Sequence, residues 1–150
     1  GPEVVELTQN GVMNEGFVSV ALGMPGIPAA AERIQVDRDI NLTKWTGGKL
    51  HVQCLTCEGS VQSIRRAKSE GVSITSETCP HYFTLTDEKF RSFDSNYKVN
   101  PPLRSKQDVD AIIGGLIDGT IDVIASDHSP WAEELKVREL DVAPFGIIGI

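Results

Sequence analysis

Apolar positions along this chain change their period from segment to segment, and the changes mark elements. Pro28 sits where a helix can open, because the first helical N–H has no partner to lose. Ala30, Ala31 and Ile34 carry that helix to about Trp45, and Gly47-Gly48 ends it. Leu50 to Leu55 reads as a short strand. Val61, Ile64 and Ala67, spaced three apart, predict a second helix with Gly71 as its stop. Val72 to Thr78 is rich in β-branched residues and predicts another strand. Pro80 to Asn100 is mixed, with a short helix near Thr86-Asp87-Glu88. Ser105 can cap a third helix, whose buried stripe would be Val109, Ile112, Ile113, Leu116 and Ile117. Asp118-Gly119 closes it. The apolar run Ile121 to Ala125 suits a buried parallel strand ending at Ser126-Asp127-His128. Gly23 to Pro28 reads as a turn, and Met13 to Gly16 and Ala143 to Gly146 read as loops.

Strand, helix, strand, helix, strand is the order of βαβ units in a parallel sheet. On a (β/α)8 barrel, chemistry gathers at the C-terminal ends of the strands. Three polar positions fall there: Cys54, the Cys79/His81 pair and Asp127/His128. A closed barrel needs about 250 residues. A sheet built from 150 residues keeps open edges, so it would pair with another copy or with a missing barrel half.

Composition narrows the function classes. The apolar share of 40% and charged share of 23% suit a globular chain. A net charge of −7 argues against a nucleic-acid partner, which needs clustered Lys and Arg. Arg65-Arg66 with Lys68 reads as a solvated helix face. No apolar run approaches the roughly 20 residues that span a bilayer, and the start lacks a secretory layout. Gly1-Pro2 looks like the remnant of a cleaved tag. Three cysteines without a secretion signal suggest free thiols and a cytoplasmic setting.

Several residue groups could carry chemistry. Asp127 at a strand tip can bind a divalent metal or take a proton from metal-bound water; alternatively it caps a turn fixed by Pro130. In Lys98-Val99-Asn100-Pro101-Pro102-Leu103-Arg104, the prolines hold Asn100 as a rigid donor and acceptor. Arg104 could grip a carboxylate there; otherwise the run is a structural loop. Cys54, Cys57, Cys79 and His81 could form a structural zinc site, or be small buried thiols and a satisfied histidine.

Taken together, the stretches resemble dihydroorotase of the bacterial type. The matching runs are Gly11-Val12-Met13-Asn14-Glu15-Gly16, Gly26 to Glu32, Arg38-Asp39-Ile40 and Pro80-His81. They continue through Leu85-Thr86-Asp87-Glu88, Lys98 to Arg104, Asp118 to Asp122, Asp127-His128-Ser129-Pro130 and Ala143-Pro144-Phe145-Gly146. The Asn-Pro-Pro-Leu-Arg run is the specific part, since allantoinases and hydantoinases keep it less well. The resemblance implies an α/β fold, the C-terminal half of a metal-dependent (β/α)8 barrel, with residues 1–150 as one segment. It implies a cyclic amidohydrolase that interconverts N-carbamoyl-aspartate and dihydroorotate at a one- or two-zinc centre, in pyrimidine biosynthesis.

By the same resemblance, Asp127 would be the metal-bound catalytic carboxylate, and Asn100 with the Phe145-Gly146 backbone would hold the small substrate. Cys54 stands where the family has a His ligand, and a thiolate can replace it. Trp131 stands where the family has a substrate-contacting His. The family's His-Cys-Glu-Asp run would begin at Gly1 and here reads Gly1-Pro2-Glu3-Val4. The His-x-His pair and an earlier bridging carboxylate have no counterpart. Two alternatives stay open: a non-catalytic dihydroorotase-like scaffold, and a small structural-zinc module.

Overall fold

The computed structural model describes residues 1–149. Its centre is a parallel sheet of β3 (Leu50–Val52), β4 (Ile74–Thr78) and β5 (Val123–Ile124), paired in sequence order. A second parallel pair joins β1 (Met13–Asn14) to β2 (Gly26–Ile27). The helices are α1 (Val5–Thr8), before β1, then α2 (Phe17–Leu22), α3 (Ala29–Thr46), α4 (Glu58–Ser69), α5 (Pro80–Thr84) and α6 (Lys106–Ile117) between strands, and α7 (Glu133–Lys136), after β5. The arrangement is a partial α/β barrel: parallel strands with helices on one side and, among the described residues, no closure.

The long helices form for local reasons and pack for apolar ones. α3 starts after Pro28 and ends at Gly47, whose φ of 68° is the left-handed turn that glycine adopts without strain. It buries Ala31, Glu32, Val36, Ile40 and Thr43, one stripe of a 3.6-residue period. Val61, Ile64 and Ala67 of α4 and Ile112 of α6 join Val36 and Ile40 over Val52, Leu55, Ile74 and Ile121 in one core. The Ser105 hydroxyl accepts from Asp108 N–H at 3.3 Å and caps α6. The basic cluster on α4 lies outward, where Arg65 pairs with Asp118 and Lys68 with Asp122 at 2.8 Å.

Three sequence expectations need correction. Only part of the α6 stripe is buried: Ile113 is 38% exposed and Ile117 81%. Gly115 is the reason, because it brings α6 close to Val61 and Ile121, turning the neighbouring face outward. The run Ile121–Ala125 is buried only at Ile121. Val123 and Ile124 are exposed, because β5 has no strand on its far side among the described residues. Met13-Asn14 and Gly26-Ile27 are strands rather than loop and turn; two-residue ladders leave no period to read.

Candidate functional site

Because β3, β4 and β5 run parallel, the residues following them share one end of the sheet. The ladder extends past the strands: Leu55 N–H donates to Glu77 O and Ala125 N–H to Thr78 O, each at 2.9 Å. Cys54, Cys79 and Asp127 lie at this end of the sheet, and one ligand atom from each lies within 4.8 Å of the others. The Cys54 and Cys79 sulfurs are 3.8 Å apart. Cys54 and Asp127 both adopt left-handed backbone, with φ of 53° and 44°. Such conformations cost a non-glycine residue about 1–3 kcal/mol and gather at functional sites.

The walls of this end are apolar and tightly held. Cys54, Cys79, Tyr82, Val99 and Leu103 form one buried cluster, with Ala125 and Ile147 against it. The Tyr82 hydroxyl donates to Pro101 O at 2.7 Å, tying the Asn100-Pro101-Pro102 loop to the strand tips. Burial pushes the Tyr82 hydroxyl well above its ordinary range. The thiol pair holds its protons unequally. A hydrogen bond from Cys79 lowers Cys54, while donating that bond and being buried raise Cys79. His81 is 4% exposed, and neither ring nitrogen has a partner among the described residues. Burial lowers its pKa, and the nearby Asp127 carboxylate opposes the shift.

Other candidate residues have different surroundings. Cys57 faces away from the strand tips. Its sulfur lies 3.4 Å from Glu32 Oε1 and 3.1 Å from Ser60 Oγ, which excludes the three-cysteine zinc module. Asn100 is exposed, and its amide donates to Glu3 Oε1 at 3.3 Å. Among the described residues Arg104 grips no carboxylate. It is buried and donates to Thr56 Oγ1, Asn14 Oδ1 and the Ile27 carbonyl, joining β1, β2 and the loop after β3. Asn14 in turn donates to Asp87 at 2.9 Å, and burial raises the Asp87 carboxyl.

Phe145 and Gly146 sit in a loop fixed by buried lysines. Lys136 donates to the Pro144 carbonyl at 2.9 Å and to Lys98 O at 3.2 Å, and Lys98 lies 4.6 Å over the Phe145 ring. Burial lowers both ammonium groups. The Gly146 N–H donates to Lys98 O, and the Phe145 carbonyl accepts from the Trp131 indole at 2.8 Å. Both backbone groups are therefore engaged internally. His128 accepts from Gly149 N–H at 3.2 Å. A carbon built on Gly1 would stand 3.5 Å from Cys54 Cβ, so position 1 borders the cluster. A groove of about 750 Å³ bordered by Met24, Phe93 and Leu140 lies apart from these groups.

Two thiols and one carboxylate suit a divalent cation of borderline softness such as zinc. Three protein ligands leave a position for water, the pattern of catalytic rather than structural zinc. The two orphaned nitrogens of His81 add unmet polar capacity in the same apolar wall. Sequence reasoning placed Cys79 only in a structural zinc site with Cys57 and left it outside the catalytic set of Asp127 and Cys54. The signal was there, since Cys79 follows β4 as Cys54 and Asp127 follow β3 and β5.

No family model matches the chain. It is 56% identical over 144 residues to a dihydroorotase of Endomicrobium trichonymphae, covering 96% of this chain and 34% of that protein. A dihydroorotase of Pelotomaculum thermopropionicum is 54% identical over the same shares. The chain thus spans about a third of the length of the curated relatives it matches. Among solved structures, dihydropyrimidinase from Brevibacillus agri superposes with a TM-score of 0.74 at 30% identity, covering 82% of this chain and 28% of that one. A dihydroorotase from Saccharomyces cerevisiae superposes at 0.69 with 16% identity, covering 92% and 38%, which speaks to fold alone.

Proposed function

We propose, from the premise that this chain belongs with the dihydroorotases and spans about a third of them, that it carries the metal-binding end of a zinc-dependent cyclic amidohydrolase. The reaction is the reversible closure of N-carbamoyl-aspartate to dihydroorotate. The observation behind it is the convergence of Cys54, Cys79 and Asp127 beyond the C-terminal ends of the three parallel strands β3, β4 and β5, with Cys79 on the central one. A zinc ion held there would polarise the ring carbonyl and lower the pKa of a bound water.

The chain's own groups then have distinct tasks. Asp127 accepts the proton of the attacking water and returns it to the ring nitrogen, a role suited to a half-buried carboxylate beside an open ligand position. Tyr82, bonded to Pro101, fixes the loop from which Asn100 orients the substrate. Phe145 and Gly146 border the substrate from the loop that Lys98 and Lys136 pin down. The apolar cluster around Cys79 and Leu103 keeps bulk water from the reacting groups.

The test is ring opening of dihydroorotate, measured with this segment replacing the matching third of the Pelotomaculum thermopropionicum dihydroorotase. Turnover is expected, and Asp127→Ala should lower it at least about a hundredfold. A replacement protein that binds zinc yet turns over nothing would favour the non-catalytic scaffold. Full activity in the Asp127→Ala form would refute the assigned role.

A further inference from the structure

The spacing of the two sulfurs says more about the metal than the family resemblance does. In a tetrahedral zinc site with Zn–S bonds of about 2.3 Å, two thiolates stand roughly 3.8 Å apart. Cys54 and Cys79 already hold that separation. It is far longer than the roughly 2 Å of a disulfide, and both thiols are free. Asp127 supplies a carboxylate oxygen within 4.8 Å of both. An independent sign is His81, more than nine-tenths buried, with neither ring nitrogen satisfied among the described residues.

We infer that Cys54, Cys79 and Asp127 form a single two-thiolate, one-carboxylate cation site, with Cys79 a direct ligand, selective for thiophilic ions over hard ones. The inference deepens the reading above and rests on its placement of Asp127 at the metal. Thiolate sulfur favours zinc and softer ions, whereas magnesium and manganese prefer all-oxygen sets. Binding breaks two S–H bonds heterolytically, so two protons pass to the solvent as two metal–sulfur bonds form. Cys57 takes no part, because its sulfur is turned toward Glu32.

The test titrates the purified chain with Cd2+, reading thiolate-to-metal charge-transfer absorption and proton release together. One ion per chain is expected, with the absorption of two thiolates and two protons released. Zn2+ should displace Cd2+, while a hundredfold excess of Mg2+ or Mn2+ should not. Cys79→Ser and Cys54→Ser should each halve the absorption per ion and weaken binding by about tenfold or more. Cys57→Ser should leave both unchanged. Should a cysteine variant fail to fold, alkylation of the unmodified chain decides: bound Cd2+ should shield Cys54 and Cys79 but not Cys57.

Absorption from one thiolate only, or unaltered absorption in Cys79→Ser, overturns the inference while leaving the amidohydrolase reading standing. Failure to bind Cd2+ at millimolar concentration overturns it as well. Two-thiolate binding in a chain whose graft gives no turnover does the reverse: the site stands and the enzymatic reading falls.

Discussion

Cys54 and Cys57 are three positions apart, yet the fold gives them opposite chemistry. Burial, then the Glu32 carboxylate, push the Cys57 thiol up to about 12, while Cys54 is lowered by its bond from Cys79. At pH 8 the thiolate fraction of Cys57 should be roughly a thousandfold below that of an ordinary thiol. Mass spectrometry after iodoacetamide treatment should therefore find Cys54 modified well before Cys57; early labelling of Cys57 would contradict its placement. The sign for stability follows. Cys57 stabilises the folded chain fully below its unfolded pKa of 9.0, and that contribution is lost as pH rises toward about 12. Stability measured across this window should fall less steeply in Cys57→Ser. A second residue-scale prediction concerns Gly146, whose φ is 154° and where a Cβ would stand 2.3 Å from Ser129 O. Gly146→Ala should cost at least about 2 kcal/mol in chemical denaturation. An unchanged midpoint would show that the loop relaxes freely. None of this was legible from residue type: Cys-x-x-Cys spacing looks like one motif, and only the left-handed turn at Cys54 separates the two sulfurs.

At the scale of elements, α6 shows what periodicity can and cannot tell. Its cap was readable, because a Ser before a charged first turn has one strong use, and Ser105 makes that bond to Asp108. Ser105→Ala should cost about 1 kcal/mol. Its apolar stripe was over-read. Five positions fit a helical face, but Ile112 is fully buried and Ile117 is mostly exposed. Ile112→Ala should therefore cost about 2–5 kcal/mol, and Ile117→Glu should change the unfolding free energy by no more than about 0.5 kcal/mol. Denaturant titration of both variants checks the contrast, and comparable losses would refute this burial. The long helices and the strands β3 and β4 were legible because their periods run for several residues. β1 and β2 were not, since what holds them is a distant network through Asn14 and Arg104. The gathering of the site was legible in outline, because parallel strands bring their C-terminal tips together whatever the side chains are. Which tip residues actually converge depends on backbone turns that no pattern encodes.

At the scale of the whole molecule, a parallel sheet ordinarily has both faces covered. Here one face carries α3, α4 and α6, while the alternate positions His51 and Thr75 meet each other at 2.7 Å on the other face, where His51 is exposed. The edge is also open: Val123 is 44% exposed and Ile124 55%. Unpaired edge strands with apolar side chains recruit other strands. These surfaces lie on elements that closed barrels bury, which fits a chain spanning a third of its relatives. Taken alone, the chain should self-associate at micromolar concentration. Val123→Lys, which puts a charge on the edge without touching Cys54, Cys79 or Asp127, should raise the monomer fraction severalfold in sedimentation velocity. Cd2+ binding by that variant should be unchanged, because the ligand cluster is assembled by the tips of β3, β4 and β5 within one chain. A wild-type chain that stays monomeric at high concentration would mean that the open face tolerates water. Metal binding that disappears with dissociation would mean instead that a second copy supplies part of the site.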